Sequence, residues 1–215
     1  MTCPQKPAPN AGPKIPDETK PIRPEAPGEA ERRLGQRDIS NEELLGLLTL
    51  KPLEASSMPQ ILKMERLCHV DQWTSENFHS ELQRAFTVAK GLWLGHSLVG
   101  LSLSWMLPPE CHLLNLMVHP NLWGRGLGKF LVNDLIETAK SNKAYKIILE
   151  VKVGNKRAER LYKRVGFTGS GFRRAYYSDG SNASIMTLEL PAPPGAPLVA
   201  TKRYPPKPPL RGGPK

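Results

Sequence analysis

Between residues 57 and 190 the chain switches repeatedly between two hydrophobic periods. From Ser57, "SMPQILKMERLCH" places Ile61, Met64, Leu67 and Cys68 at helical spacing. Ser57 and Gln60 have capping-box spacing, and Pro59 suits a first helical turn. "SENFHSELQR" (75–84) predicts a second short helix capped by Thr74 or Ser75. From Ala85 to Val118 the pattern becomes partly alternating: "FTVAKGLWLG", "SLVGLSLSWML" and "CHLLNLMV", broken at Lys90–Gly91, Gly95–His96 and Pro108–Pro109, predict an antiparallel meander. Helical spacing returns over Gly126 to Ser141, where Leu127, Phe130, Leu131, Leu135 and Ile136 share a face. "KIILEVKV" (146–153) reads as a strand, and "NKRAERLYKRVGF" (155–167) as a short helix running from Asn155 to a stop at Gly166. "GFRRAYYS" and "SIMTLEL" predict two closing strands around an Asp179–Gly180 turn. The order ααβββαβαββ, without internal repeats, predicts one mixed α/β domain.

The ends have a different composition. Prolines at 4, 7, 9, 13, 16, 21, 24 and 27 are mixed with charges and almost no large apolar residues, so residues 1–44 are expected to form a disordered Pro-rich extension. Residues 191–215, ending in "PPKPPLRGGPK", repeat the pattern and are expected to be a disordered basic tail. The folded domain is placed at 45–190.

Charge narrows the range of partners. The net charge of +10 leaves residues 1–55 close to neutral and falls on the core and the tail. That suggests a polyanionic neighbour: a phosphorylated cofactor, nucleic acid or a ribosome, the last two reached through the tail. Cys3, Cys68 and Cys111 are odd in number and lack metal-ligand spacing, which fits a reducing compartment, no disulfide framework and no metal. No apolar run is long enough for a membrane helix, the N-terminus has no signal core, and Asp17, Glu18, Glu25 and Glu29 argue against an acidic-poor transit peptide. A cytoplasmic location is expected.

The densest candidate chemistry lies in "HPNLWGRGLGK" (119–129), a glycine-rich turn between an apolar run and a helix. Such a turn presents main-chain N–H groups and the positive end of a helix dipole, both suited to phosphate oxygens. Glycines at 124, 126 and 128 leave room for close approach, flanked by Arg125 and Lys129. Spacing excludes two familiar loops. A phosphate-binding G-x-x-x-x-G-K-[ST] loop fails at Trp123 and Phe130. A dinucleotide G-x-G-x-x-G loop fails because the third glycine comes one residue early, after a meander rather than a βαβ unit. Read alone, the glycines serve a tight turn as well as an anion.

With the order of elements added, the chain from Ser57 to Leu190 resembles the GCN5-related N-acetyltransferases, and within them the type that acetylates the N-terminal alanine of a small-subunit ribosomal protein. The resembling stretches are "VDQWTSENF" (70–78), "LLNLMVHPNLWGRGLGKFLVNDLI" (113–136), "ILEVKVGNKRAERLYKRVGF" (148–167) and "FRRAYYSDGSNASIMTLEL" (172–190). The resemblance implies a central, mostly antiparallel twisted sheet flanked by helices, with acetyl-CoA as cosubstrate. It implies a pyrophosphate site on the main chain of Gly124, Arg125, Gly126, Leu127, Gly128 and Lys129. It also implies pantetheine pairing along Leu116, Met117 and Val118, a cofactor contact at Asn155, and an oxyanion site in the N–H groups near Val118. One position departs from the family pattern. Trp123 stands where a Gln or Arg is usual; it lacks those polar contacts, so weakened but surviving binding is expected.

Acetyl transfer to an amine needs a base for the ammonium and an acid for the departing thiolate. Glu150, on the opposite strand face from Leu149 and Val151, is by residue pattern either a solvated strand position beside Lys152 or a base; the resemblance assigns it as the base, acting through a water. Tyr162 is by pattern a packing tyrosine; the resemblance assigns it as proton donor to the thiolate. Asn155 is most simply a helix cap, a role compatible with cofactor contact. Tyr176 and Tyr177 lie, with Arg173 and Arg174, in the region implied to shape the acceptor groove, and the tyrosines are the candidate acceptor contacts. His112 and His119 read as structural, and Cys68 and Cys111 as small apolar residues.

The machinery handles cofactor and protons, so it leaves three readings open: acetylation of a protein N-terminal α-amine, of a lysine side chain or small amine, or a non-catalytic protein binding coenzyme A or RNA. A basic core suits a basic ribosomal acceptor poorly unless an acidic patch is present. Retention of both Glu150 and Tyr162 favours the enzyme.

Overall fold

The hydrophobic alternation resolves into a seven-stranded sheet with helices against both faces. A computed structural model describes residues 40–68 and 73–192; the expected disorder of the ends and the expected RNA contact of the tail therefore lie almost wholly outside the described residues. In chain order the elements are α1 (Asn41–Leu47), β1 (Leu48–Pro52), α2 (Met58–Cys68), α3 (Ser75–Leu82), β2 (Thr87–Leu94), β3 (Ser97–Leu107) and β4 (Glu110–Val118). There follow α4 (Leu127–Ser141), β5 (Lys146–Lys152), α5 (Lys156–Val165), β6 (Thr168–Arg173) and β7 (Ala183–Glu189). The sheet order is β1-β2-β3-β4-β5-β7-β6. Every pair is antiparallel except β4–β5.

All ten predicted elements are present, and two precede them. Ser40 caps α1 through a capping box: its hydroxyl accepts from Glu43 N at 3.2 Å and its N–H donates to Glu43 Oε2 at 2.8 Å. The helix buries Leu44 and leads into β1, which pairs with β2 from Leu48↔Leu94. The expected boundary at 45 therefore cuts a helix. Two turns with one buried leucine carry too little periodicity to register as an amphipathic pattern.

Three local expectations are corrected by hydrogen bonds. Ser57 and Gln60 do not form a box: Ser57 Oγ accepts from Glu54 N at 3.4 Å. Gln60 instead clips α2 to the β2–β3 turn, donating to His96 O at 3.1 Å and accepting from Leu98 N at 2.8 Å. Lys90 and Gly91 do not break the meander but lie inside β2. Lys90 Nζ reaches Asp134 of α4 at 2.8 Å and Thr138 Oγ1 at 2.7 Å. Gly91 stands in a crowded place, closed in by three side chains. A Cβ there would lie 2.6 Å from Leu53 Cδ2, 2.7 Å from Trp93 Nε1 and 2.8 Å from Leu98 Cδ1. Gly91→Ala is expected to destabilise the fold by about 1–3 kcal/mol, read as a lower denaturation midpoint at unchanged slope. Finally, the strand expected over 171–178 is β6, which ends at Arg173. Asn182 Oδ1 accepts from Ala175 N at 2.9 Å, and Ser181 O accepts from Tyr176 N and Tyr177 N, which turns the tyrosines out of the ladder.

Two apolar layers fix the frame of the site. Ile61, Met64 and Phe78 of α2 and α3 pack on Leu101, Leu103 and Met117 from one side. Val132, Leu135 and Ala139 of α4 pack with Ile147, Leu149, Val151 and Tyr162 on the other.

Candidate active site

The parallel β4–β5 pairing runs only from Glu110↔Lys146 to Leu113↔Leu149, although β4 continues to Val118 and β5 to Lys152. A bulge sits at the divergence: Ser104 pairs with Leu113 and Leu103 with Asn115, leaving Leu114 as an extra residue in β4. The two strands therefore splay apart. The far half of β4 presents an unpaired edge toward β5, open to an extended ligand.

A cleft of about 940 Å³ lies beside that edge. Nine of the ten residues expected to contact the cofactor line it: Leu116, Met117 and Val118 on β4, Gly124, Gly126, Leu127, Gly128 and Lys129 at the loop and the start of α4, and Asn155 before α5. The tenth, Arg125, does not: its Nε donates to Asn41 Oδ1 of α1 at 2.6 Å, so it braces the loop from behind.

The loop is built to meet an anion. Gly124 and Gly126 have φ of +81° and +85°, left-handed values that side chains disfavour, and nothing lies within 4 Å of where a Cβ would stand on either. Gly126 is the N-cap of α4, yet no side chain caps this end and no acidic residue lies in its first turn. The N–H groups and dipole of α4 are thus left for a ligand. Across the cleft, α5 contributes Lys156, Arg157, Arg160 and Arg164 to the lining. Asn155 caps α5, accepting from Ala158 N at 3.2 Å, and Gly166 closes it in a left-handed conformation. The chemistry of this donor set fits a phosphorylated cofactor.

Trp123 also lines the cleft, and it is not the polar blank expected from sequence. Its indole Nε1 donates to Val118 O at 2.7 Å, and the guanidinium of Arg157 lies 3.6 Å from the ring centroid. The Cys68 thiol donates to the same carbonyl at 3.4 Å; burial pushes its pKa up to about 11, so it remains a thiol.

Tyr162 lines the cleft and is 7% exposed, its ring packed 5.6 Å from that of Phe167. No described residue supplies a hydrogen bond to its hydroxyl, and burial raises its pKa well above the usual tyrosine range. Glu150 lies on the face of β5 opposite Leu149 and Val151, outside the cleft lining. Its side chain is 4% exposed and its Oε1 lies 3.2 Å from Arg173 Nη2 of β6. Tyr176 and Tyr177 also lie outside the cleft lining, packed edge to face at 5.2 Å. Burial, then the nearby Glu150 charge, raise the Tyr176 hydroxyl to about 12, against the opposing effect of Arg173, which lies 5.7 Å from its ring. Lys152 holds the same turn, pairing with Asp179 at 2.6 Å and lying 5.2 Å from the Tyr177 ring. The tyrosine turn thus lies apart from the residues that line the cleft.

His112 and His119 each have a partner close in sequence. His119 Nδ1 accepts from Asn121 N at 3.3 Å in the turn after β4, and His112 pairs with Glu110 at 3.1 Å. Sequence reasoning missed the cleft face of α5. Its signal was present: five cations in ten residues, recurring on one side of the helix.

The sequence model of the acetyltransferase (GNAT) family matches residues 58–167, half of the chain. The ribosomal protein bS18-alanine N-acetyltransferase of Escherichia coli is 28% identical over 145 residues, which cover 66% of this chain and 97% of that one. The N-alpha-acetyltransferase RimI of Mycobacterium tuberculosis is 35% identical over 121 residues, 54% of this chain and 75% of that one. Among solved structures, the ribosomal-protein-S18-alanine N-acetyltransferase of E. coli superposes with a TM-score of 0.64 at 27% identity, covering 70% of this chain and 99% of the other. The splayed strands, the uncapped helix behind a glycine loop and these matches lead to one conclusion: the chain belongs to the GNAT family of acetyltransferases.

Proposed function

We propose that this acetyltransferase moves an acetyl group from acetyl-CoA to a protein N-terminal α-amine, and that its acceptor is the N-terminal alanine of a small-subunit ribosomal protein. The observation that carries the reading is the splay of β4 from β5, which leaves the far half of β4 unpaired beside a cationic cleft, with Glu150 on β5 just past the last paired residue. The acceptor assignment draws on the similarity to bS18-alanine N-acetyltransferases across two thirds of the chain. A cytoplasmic location goes with it; among the described residues no helix is long and apolar enough to cross a membrane.

When bound, acetyl-CoA supplies an acyl carbon activated by a thiolate leaving group. The glycine loop and the start of α4 hold its pyrophosphate by main-chain N–H groups, while Leu116–Val118 pair with its extended arm. The acceptor enters from the side of Tyr176 and Tyr177. An α-amine has a pKa of about 8 and arrives mostly charged at neutral pH, so it must lose a proton before it attacks. Glu150 receives that proton through a water; Arg173 holds the carboxylate in place and is itself half exposed, free to yield as the acceptor cation arrives. As the C–S bond breaks, Tyr162 donates its phenolic proton to sulfur. Burial keeps the phenol protonated, so its proton is present when the thiolate forms, while making it a weaker acid than a free tyrosine.

The test is release of coenzyme A from acetyl-CoA with two peptides of one basic sequence beginning in alanine, one with a free and one with a blocked N-terminus. Release with the free peptide alone is expected. Equal release with both would replace the α-amine with a side-chain acceptor.

A further inference from the structure

Two features of the cleft go beyond this reading: the tryptophan at 123, where the family pattern has a Gln or Arg, and the arginine stacked upon it. Trp123 belongs to the loop before α4 and Arg157 to the first turn of α5; both line the cleft and both are solvent-exposed at its rim. The indole is fixed at its other end by the 2.7 Å bond from Nε1 to Val118 O. A guanidinium 3.6 Å from a ring centroid is in van der Waals contact with the π face. Stacking uses the faces of the guanidinium and leaves its in-plane N–H groups free, the edge that recognises phosphate oxygens. No carboxylate among the described residues competes for that edge, although Glu159 lies only two positions away on the same helix.

We propose that Trp123 and Arg157 form a strap across the cleft in which Trp123 is a positioning residue and Arg157 a phosphate-binding residue for the cosubstrate. Trp123 ties the end of β4 to the start of α5 and holds the Arg157 guanidinium with its donor edge at the cleft. Arg157 then meets a phosphate oxygen, of the pyrophosphate or of the 3′-phosphate. The inference rests on the acetyl-CoA reading above, and it reverses the expected cost of Trp123: the indole replaces a direct polar contact by orienting a cation.

Calorimetric titration of the full chain with coenzyme A, 3′-dephospho-coenzyme A and pantetheine tests this on the parent, Trp123→Phe, Trp123→Leu, Arg157→Gln and the Trp123→Leu/Arg157→Gln double variant. Arg157→Gln is expected to weaken coenzyme A about tenfold, the scale of one charge-assisted bond. Trp123→Leu should do the same, the double variant should be no weaker than either single change, and Trp123→Phe, which keeps an aromatic face, should lose about threefold or less. Pantetheine, which has no phosphate, should be held equally by all. A tenfold loss seen with coenzyme A but not with its dephospho form assigns the 3′-phosphate; a loss seen with both assigns the pyrophosphate. Additive effects in the double variant, or pantetheine weakened as much as coenzyme A, would overturn the strap while leaving the cosubstrate reading intact. No binding of coenzyme A by the parent would overturn both.

Discussion

Glu150→Gln is expected to lower kcat for acetyl transfer by about 10²–10³-fold, the range of a lost general base, with coenzyme A affinity little changed. Affinity is spared because Glu150 lies outside the cofactor cleft, on the opposite face of β5 from the residues packed against Tyr162. The fold should tolerate the change: glutamine keeps the volume and an acceptor oxygen for Arg173, whose side chain is 54% exposed and can be solvated. The pH profile distinguishes loss of a base from a disturbed site. Without an internal base the variant depends on acceptor already deprotonated in solution, a fraction that rises about tenfold per pH unit up to the α-amine pKa near 8. The gap between variant and parent should therefore narrow as pH rises from 6 to about 8. A gap that stays constant with pH would remove Glu150 from proton transfer and leave it a partner of Arg173.

Tyr162→Phe is expected to lower kcat by about 10²-fold without raising the acceptor KM, because the lost hydroxyl acts on the leaving group. No described residue hydrogen-bonds that hydroxyl, and the ring contact with Phe167 at 5.6 Å survives the substitution. Unfolding free energy should accordingly change by no more than about 1 kcal/mol, as expected when no buried partner is orphaned. The raised pKa adds a second check. A group whose folded pKa lies above the usual value of about 10 stays protonated through pH 9, so the parent should show no loss of activity from this tyrosine below that pH. A stable Phe variant with parental kcat would return Tyr162 to a packing role.

Much of this site was legible because its chemistry is local in sequence. Gly124, Gly126 and Gly128 signal a helix start without a side-chain cap, and Asn155 and Gly166 bracket α5; each meaning depends on neighbours within a few residues. What sequence could not give depends on contacts between distant segments. Trp123 reads as a lost polar contact until Val118 O and Arg157 are brought against it. Glu150 reads as a solvated strand residue until β7, paired with both β5 and β6, brings Arg173 of β6 within reach: Ile185 of β7 pairs with Glu150, and Ala183 with Arg173. Arg125 looked like a loop cation for the ligand, and only the unexpected α1 supplies the Asn41 that turns it away. The tyrosine turn moved for a similar reason: a β pattern through "FRRAYY" is overridden by the Asn182 side chain and the Ser181 carbonyl, which bond 175–177 from just before the next strand.

The most direct test of the whole account uses a single peptide that carries both candidate acceptors, a free N-terminal alanine and an internal lysine, in a basic sequence. After incubation with the enzyme and acetyl-CoA, fragmentation mass spectrometry locates the acetyl group. The account predicts acetyl on the alanine α-amine, with that product abolished in Glu150→Gln and Tyr162→Phe. Acetyl on the lysine side chain would contradict it: cleft, loop and proton carriers would stand, and the acceptor reached between Tyr176, Tyr177 and Glu150 would be a side-chain amine.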